Sequence, residues 1–314
     1  MKVLLISQYC DEFKNNNLPN NILLVRHFRL YHKKIYDTLK LLGHDIIIAN
    51  GIEQNIEELI RKVDIVFPIK HDYGYLGGDY NILCICKKLK KPFVGCAPSS
   101  KLYDTDKIAG KLLAKNLKIK TPNYFHPYMV NDKKMKDSLY ILKPRFSASS
   151  KELSDKCIYT KEKILNVISK KVNKECYFIE EFIDGVTASI GCVLSQNNNI
   201  FFSTPFTLKS KTNKVITFED KKNGGCISAT ISNKKLQKKL REYSKKLFLN
   251  IQPCTMARFD FILSKSNKLY FLEINTTPTL NPENSFVHSL IQNYFKTYDC
   301  FLNHLLNVSI SSIR

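Results

Sequence analysis

Two short segments near the end of the 314-residue sequence, ARFDF (Ala257–Phe261) and LYFLEINTTP (Leu269–Pro278), carry its most informative pattern. Each piece reads as a β-strand, in which alternate side chains share one face. A two-residue turn at Ser266–Asn267 would join the strands into an antiparallel hairpin. Such a turn also fixes which side chains face each other, because the residue numbers of opposed pairs then add to a constant.

The predicted hairpin carries a candidate divalent-cation site. In this register Asp260 lies opposite Glu273, and Arg258 lies opposite Asn275. Two carboxylates opposed across a ladder repel each other, and a cation between them would remove that cost. Because two carboxylates and an amide suit Mg²⁺, we predict Asp260, Glu273 and Asn275 as metal ligands. The alternative to a metal site is an exposed hairpin with unrelated charges, but four apolar neighbours would bury the opposite face: Phe259, Phe261, Leu272 and Ile274. For Arg258 the alternative is a salt bridge to Glu273 across the hairpin.

Length and composition favour a globular protein without a membrane span. The chain is long enough for one large or two to three smaller domains, and its hydrophobic fraction of 44% is ordinary. No apolar run approaches the roughly 20 residues that a membrane helix needs. The first strand meets Asp11 and Glu12 too early for a secretory signal. Ten cysteines lie singly without zinc-type spacing, which predicts a reduced cytoplasmic protein.

The formal net charge of +21 raises the question of a nucleic-acid partner. The lysines are spread along the whole chain beside asparagine and isoleucine, as in KNNNLPNN, and no nucleic-acid-binding motif accompanies them. We therefore predict small-molecule partners rather than nucleic acid or a membrane, with a homodimer left open. A basic surface would still attract an anionic substrate.

The first third of the chain alternates between strand and helix patterns. Strands are expected at Val3–Ser7, Asp45–Ala49 and Asp64–Pro68, separated by helical stretches. This alternation predicts a parallel sheet covered by helices, with a ligand crevice at the carboxyl ends of its strands. The loop HDYGYLGGDY, which contains His71, follows the third strand and would lie at that crevice.

The sequence pattern in the remaining two thirds of the chain predicts mixed α and β structure. A helix capped by Ser99 or Ser100 should run to about Lys115, and LYILKP and YFIEEFIDG should form strands. The polar, lysine-rich stretch at 209–225 is expected to be a mobile lid. A helix at 234–248 precedes the acidic hairpin, and one or two helices close the chain.

The order of these motifs resembles that of the ATP-grasp ligases, and within them the D-alanine–D-alanine ligase group. The similarity covers roughly residues 71–285 and rests on HDYGYLGGDY, the Asp-Lys pair in SSKLYDTDKIAGKLLAKNLKIKTPNY, LYILKPRFSASS, FIEEFIDG, ARFDF and LEINTTP. It implies an α/β ATP-grasp architecture with an N-terminal Rossmann-like domain (1–97) and two lobes clasping ATP (98–184 and 185–314). It also implies ATP and Mg²⁺, with two ions and Mn²⁺ as an alternative metal.

The resemblance assigns roles to further residues. Lys143 ends an apolar strand before a loop of small residues, which by itself suits phosphate oxygens. Arg258 would clamp the transferring phosphate, with His71 at the carboxylate substrate. Lys221, or less directly Lys222, would reach the γ-phosphate. The remaining nucleotide ligands implied by the resemblance are Lys107, Ser149, Ser150, Glu180, Glu181, Phe182 and Ile183, with Glu180 at the adenine amine.

Several positions depart from the family pattern. The glycine-rich N-terminal stretch with its glutamate is replaced by SQYCDEFKNNN. Thr187 stands where an acid usually meets the ribose, Ala148 where the phosphate loop has glycine, and Thr279 where a glycine helps to form the oxyanion hole. The nucleotide and metal parts thus persist, whereas the amino-acid pockets do not.

These observations predict an ATP- and Mg²⁺-dependent carboxylate–amine ligase that acts through an acyl-phosphate on an amino acid or small peptide other than D-alanine. A basic helix near the crevice, with Arg26, His27, Arg29 and His32, would favour an acidic substrate. Three alternatives stay open: an authentic D-alanine–D-alanine ligase, an ATP-binding regulator that has lost ligation, and a nucleic-acid-binding protein.

Overall fold

A three-stranded parallel sheet begins the chain. The computed structural model describes residues 1–7, 23–52, 54–69, 78–130, 134–146 and 152–311, and side chains at 23–29, 129 and 222 are not described. Strand β1 (Lys2–Ile6) lies between β2 (Asp45–Ala49) and β3 (Ile65–Pro68). Four of the five β1 residues are buried, as expected for a parallel strand covered by helices on both faces. The predicted parallel sheet is therefore confirmed, and its described helices are α1 (Leu23–Leu41), α2 (Ile56–Arg61) and α3 (Gly78–Lys88).

A four-stranded antiparallel sheet follows. Its strands are β4 (Tyr124–Phe125), β5 (Leu139–Pro144), β6 (Ile158–Thr160) and β7 (Tyr177–Glu181), in the spatial order β4-β7-β5-β6. Helix α6 (Lys161–Ser169) packs on β5 and buries Ile164 and Ile168. Strand β6 and helix α6 lie in a lysine-rich stretch for which the sequence pattern predicted no element.

The helix expected from Ser99 or Ser100 to Lys115 is two helices, α4 (Pro98–Thr105) and α5 (Lys107–Asn116). The break is at Asp106, whose backbone is extended and whose carboxylate accepts a hydrogen bond from the Ile108 N–H at 2.9 Å. The expected cap was wrong as well, because Ala97 precedes the first turn and both serines lie inside it. The new helix start places Lys107 in the first turn of α5.

A six-stranded antiparallel sheet forms the C-terminal part. Strand β8 (Gly185–Leu194) pairs with β9 (Ile200–Phe202), β10 (Phe206–Ser210) and β12 (Met256–Ser264). At Gly191 a Cβ atom would lie 1.9 Å from the Phe286 ring, so glycine is needed for that ring to lie against β8. The remaining elements are β11 (Cys226–Thr230), β13 (Leu269–Asn275), α7 (Phe218–Lys222), α8 (Lys234–Asn250), α9 (Ser285–Leu290), a π-helical turn (Ile291–Phe295) and α10 (Tyr298–Ser311).

The hairpin of β12 and β13 has the predicted pairing at the site but not at the turn. Arg258 pairs with Asn275 and Asp260 with Glu273, as the sequence predicted. The turn, however, has three residues (265–267), with Asn267 in the left-handed region at φ 58° and its N–H donating to Ser264 O at 2.9 Å. A bulge between Asp260 and Phe261 restores the register by adding one residue on β13. That residue is Leu272, which lines the cavity instead of being buried with the opposite face.

The expected lid region is partly regular structure. Residues 209 and 210 belong to β10, and α7 begins with a capping box in which Thr217 and Asp220 exchange side-chain-to-backbone hydrogen bonds. The pattern S/T-x-x-D indicates a helix start. It is easily overlooked here because the whole stretch is polar. Among the described residues, no helix combines the length and apolar character needed to cross a membrane.

Candidate active site

A cavity of about 750 Å³ brings together residues from both antiparallel sheets and from helices α4, α5 and α7. Among the predicted site residues its walls include Lys107, Lys143, Glu180, Glu181, Phe182, Ile183, Lys221, Arg258, Asp260, Glu273 and Asn275. The cavity thus gathers residues that are separated by up to 168 positions in the sequence. His71, Ser149 and Ser150 lie outside the described residues.

Asp260 is the centre of the hairpin end of the cavity. Its Oδ1 accepts hydrogen bonds from Ser189 Oγ at 2.7 Å and Arg258 Nε at 2.9 Å. Its Oδ2 accepts from Arg258 Nη2 at 2.8 Å and Asn275 Nδ2 at 3.0 Å. Burial acts to raise the pKa of Asp260, but the Arg258 guanidinium and the Ser189 hydroxyl hold it below the ordinary value. The carboxylate is therefore ionised, and Arg258 pairs with it rather than with Glu273.

Glu273 is less firmly held than Asp260. Its side chain is 34% exposed, and one carboxylate oxygen lies 3.8 Å from Lys107 Nζ. The Lys107 side chain is 11% exposed, and burial lowers the pKa of its amine despite the nearby Glu273 carboxylate. A carboxylate with one distant partner retains lone pairs for a further ligand.

At the other end of the cavity, two lysines hold the carboxylate of Glu180. Lys143 pairs with Oε1, and Lys111 Nζ lies 2.5 Å from Oε2. Lys111 and Glu180 are almost completely buried, whereas Lys143 is 16% exposed. Burial acts to raise the pKa of Glu180, but the two ammonium groups hold it below the ordinary value. Lys111 was not predicted as a site residue, although it follows Lys107 by one helical turn and therefore shares its face of α5.

A second unpredicted residue connects the lysine-bearing elements. Arg145 donates from Nε and Nη2 to the two oxygens of Asp106 at 2.8 and 2.6 Å. Asp106 starts helix α5, and the Lys107 N–H donates to Arg145 O at 3.3 Å. A bidentate arginine–carboxylate pair fixes geometry well, so it sets helix α5 against the end of β5, which carries Lys143. Nothing in the sequence pattern marked Arg145.

The hinge segment Glu180–Ile183 lies along the cavity wall. The N–H groups of Glu181 and Phe182 donate to Asn123 O and Leu139 O, both at 2.8 Å. The Glu181 carboxylate also accepts from Asn123 Nδ2 at 2.7 Å. These contacts anchor the hinge to its own sheet, and Phe182 and Ile183 supply apolar cavity wall.

Lys221 of helix α7 reaches the cavity from the six-stranded sheet side. Its side chain is accessible from the cavity, yet desolvation by the surrounding protein lowers its pKa, with Glu273 acting in the opposite direction. The position of this amine on the cavity wall is compatible with the predicted contact to phosphate oxygens.

The wall near the first sheet contains a buried ion network that sequence reasoning missed. Lys101 Nζ lies 2.7 Å from Asp79 Oδ2, 2.8 Å from Asp104 Oδ2 and 2.9 Å from Thr277 Oγ1. Asp104 Oδ2 also accepts from the Thr276 N–H at 3.0 Å. The network ties helices α3 and α4 to the loop that follows β13.

The position of His32 does not support the prediction that a basic helix favours an acidic substrate. His32 is fully buried, and its Nδ1 lies 2.8 Å from Ser7 Oγ at the end of β1. A buried imidazole bound to a hydroxyl does not attract an acidic substrate from the crevice. The side chains of Arg26, His27 and Arg29 lie outside the described residues.

The residues at the hairpin fit a hard divalent cation. Two carboxylates face each other across the ladder, and Asn275 uses its amide nitrogen toward Asp260, which leaves its oxygen for another contact. This oxygen donor set suits Mg²⁺. Among the described residues, no group of three His, Cys, Asp or Glu side chains offers a competing metal site.

Comparisons with known proteins agree with this architecture. The family model "D-ala D-ala ligase C-terminus" matches residues 140–307, which is more than half of the chain. A D-alanine–D-alanine ligase of Prochlorococcus marinus (strain MIT 9312) is 26% identical over 314 residues, covering 91% of this chain and 81% of the relative. One from Coprothermobacter proteolyticus is 26% identical over 288 residues, covering 87% and 92%.

Solved structures share the fold over almost the whole chain. A D-alanine–D-alanine ligase from Bacillus anthracis superposes with a TM-score of 0.74 at 14% identity, covering 98% of this chain and 97% of that one. VanG D-Ala:D-Ser ligase from Enterococcus faecalis gives a TM-score of 0.69 at 15% identity, covering 98% of both chains. The α/β ATP-grasp architecture expected from the sequence is therefore confirmed.

Proposed function

Because the chain belongs to the D-alanine–D-alanine ligase family, we propose that it joins a carboxylate to an amine through an acyl-phosphate, with an amino acid or small peptide other than D-alanine as the carboxylate donor. The class of enzyme is that of the family, an ATP-dependent carbon–nitrogen ligase of the ATP-grasp fold. Its cofactors are ATP and Mg²⁺. The part that goes beyond the family is the identity of the substrates.

One observation carries the proposal of ligase chemistry: the four cationic side chains that the sequence predicted and the predicted metal ligands line the same cavity. Lys107, Lys143 and Lys221 would bind phosphate oxygens, and Arg258 would stabilise the charge that develops on the transferring phosphate. Asp260, Glu273 and Asn275 would hold Mg²⁺, which neutralises phosphate charge when bound.

The ionic contacts within the cavity support this assignment. Lys107, Lys143 and Arg258 each lie beside a carboxylate of the chain itself, respectively Glu273, Glu180 and Asp260. Bound phosphates would take over the cations, and a bound metal would take over Asp260 and Glu273. When ATP and the metal bind together, the charged side chains named here exchange one partner of opposite charge for another. If only one of the two ligands bound, some of these side chains would lose their partner.

In the proposed reaction a substrate carboxylate oxygen attacks the γ-phosphorus of ATP, and the bond from that phosphorus to ADP breaks. The nitrogen of the amine substrate then attacks the acyl carbon, and phosphate leaves with the bonding electrons as the amide forms. The contribution of the protein is to position the reactants and to neutralise charge. We also propose that His71 contacts the carboxylate substrate.

The proposal of a substrate other than D-alanine rests mainly on the sequence, in which SQYCDEFKNNN replaces the family's glycine-rich stretch with its glutamate. Thr187 and Thr279, which are two of the positions that depart from the family pattern, line the cavity. Two solved structures of the same fold are named for different substrate pairs, D-alanine with D-alanine and D-alanine with D-serine, so the fold is compatible with more than one pair. The proposal also covers small-molecule partners, a location in the cytoplasm and no nucleic-acid partner, with a homodimer left open. Its domain limits fall near residues 97 and 184.

Phosphate release across a panel of amino acids, small peptides and amines tests the proposal. We expect Mg²⁺- and ATP-dependent release that requires a carboxylate donor other than D-alanine, with the amide product identified by mass spectrometry. The highest kcat/KM with D-alanine alone would contradict the substrate argument. Tight ATP binding without release from any donor would favour the ATP-binding regulator.

A further inference from the structure

The Asp155 carboxylate connects the two antiparallel sheets. Asp155 lies between β5 and β6 of the four-stranded sheet. Its Oδ1 accepts hydrogen bonds from the N–H groups of Lys214 at 2.9 Å and Val215 at 3.0 Å, and Oδ2 lies 3.0 Å from the Lys214 N–H. Both donors belong to the segment between β10 and α7 of the other sheet. Charge-assisted hydrogen bonds of this kind are stronger than neutral ones.

The segment that Asp155 holds is connected directly to Lys221. Asn213 Nδ2 lies 3.2 Å from both oxygens of Asp220, and Asp220 Oδ2 accepts from the Thr217 N–H at 2.9 Å. These contacts fix the first turn of α7, and Lys221 follows in that helix. Lys214 and Val215 also line the cavity wall. A displacement of the segment would therefore move α7 and the Lys221 ammonium.

We propose that Asp155 is a positioning residue that holds the segment 213–217 across the cavity and thereby places Lys221 at the nucleotide phosphates. The role of Lys221 rests on the proposed function, whereas the contact between the sheets does not. Asp155 itself touches backbone N–H groups and not the reacting atoms. It acts on the reaction only through the position of α7.

Limited trypsin digestion of the ligand-free protein tests the contact itself. Removing the carboxylate in Asp155→Ala leaves two N–H groups without their acceptor, so the segment should open more often. We expect first cleavage after Lys211, Lys214 or Lys221 to be roughly tenfold faster than in the wild type, because the lost bonds are charge-assisted. Asp137→Ala, at an exposed position of the same part of the chain, should cleave like the wild type. Equal rates for both variants would overturn the proposal.

The conservative variant separates the contact from general damage. In Asp155→Asn an amide oxygen can still accept the two N–H groups that reach Oδ1, so cleavage should fall between the wild type and Asp155→Ala. Mass spectrometry of the first fragments identifies the cut. An Asn variant that cleaves as fast as the Ala variant, together with a general rise in cleavage at distant lysines, would show a fold defect and overturn the positioning role.

A double-mutant cycle tests the connection to Lys221. Asp155→Ala should raise KM for ATP by roughly tenfold in the wild-type background and change little in the Lys221→Ala background, since the lysine to be positioned is then absent. Equal losses in both backgrounds would overturn the action through Lys221. If the wild type releases no phosphate, the proposed function fails, while ATP affinity by calorimetry and the digestion still decide the role of Asp155.

Discussion

The two ends of the cavity are assembled in different ways. At the hairpin end, Asp260 is held by Ser189, Arg258 and Asn275, which stand on three adjacent strands of one sheet. At the lysine end, the two cations that hold Glu180 come from different kinds of element, Lys143 from β5 and Lys111 from helix α5. Strand register alone forms the first arrangement, whereas the second requires a helix to pack at the correct place.

Because of this difference, the two ends of the cavity should respond differently to mutation. A change in helix packing would move Lys111 and Lys107 relative to Lys143, and the pair between Asp106 and Arg145 opposes such a movement. Asp260 depends less on helix packing, because it and its three partners stand on neighbouring paired strands of one sheet. We therefore expect mutations at the hairpin end to affect chemistry, and mutations at the lysine end to affect nucleotide affinity.

The largest effect is expected for Asp260→Asn. The amide cannot supply the negative charge that a metal and Arg258 both require, so turnover should fall by at least about 100-fold. The circular dichroism spectrum should stay unchanged, because the strand pairing persists. Asp37→Asn on the exposed face of α1 serves as the control. Near-normal Mg²⁺-dependent turnover of Asp260→Asn would refute the metal site.

An intermediate effect is expected at the lysine end. Lys143→Ala should weaken ATP binding by about 1.5–3 kcal/mol, the range for hydrogen bonds to charged groups. Adenosine, which has no phosphates, should bind as before. Calorimetry with both ligands measures the difference, and an equal loss for both would show that Lys143 is structural.

Lys111→Met sharpens the comparison within the lysine end. Because Lys111 is 1% exposed, its direct contact with a phosphate is not expected, and its loss should weaken ATP binding less than the loss of Lys143. Methionine keeps most of the side-chain volume. If Lys111→Met and Lys143→Ala weaken ATP binding equally, Lys143 has no special relation to the phosphates.

The smallest effect is a pH dependence of ATP affinity. Burial lowers the pKa of Lys107, and desolvation likewise lowers the pKa of Lys221. Each amine binds phosphate as the protonated form, so affinity is constant below the lowered pKa and falls as the pH rises through it. The fall should begin below the range of an ordinary lysine, near 10.4. Calorimetry at increasing alkaline pH measures it, and adenosine affinity should not change in parallel.

The hairpin illustrates how much of the site is contained in local sequence. Alternation predicted the strands, and the pairing of Asp260 with Glu273 was correct although the turn was not. The three-residue turn shifts the register by one, and the extra Leu272 shifts it back. A bulge cannot be recognised from a stretch of apolar residues. The predicted pairing of Asp260 with Glu273 was therefore correct because two unpredicted deviations, the longer turn and the bulge, cancel in the register.

The remaining differences have physical reasons of the same kind. Asp106 could have been read as a helix start, because its side chain accepts an N–H two residues later. Thr217 and Asp220 carried a similar signal within a stretch that composition marked as a loop. Arg145 and Asp155, by contrast, act on partners 39 and 59 or more positions away. No local pattern announces such contacts, since they depend on how the sheets pack.

The three-residue turn of the hairpin has a practical consequence for engineering this molecule. Lys265, Ser266 and Asn267 are exposed, and three residue pairs of the ladder separate them from the bulge beside Asp260. A short peptide or a fluorescent label placed there would lie on the same hairpin as Asp260, with the three intervening pairs keeping it away from the bulge. The hairpin tip is therefore a suitable attachment point that leaves the cavity residues unchanged.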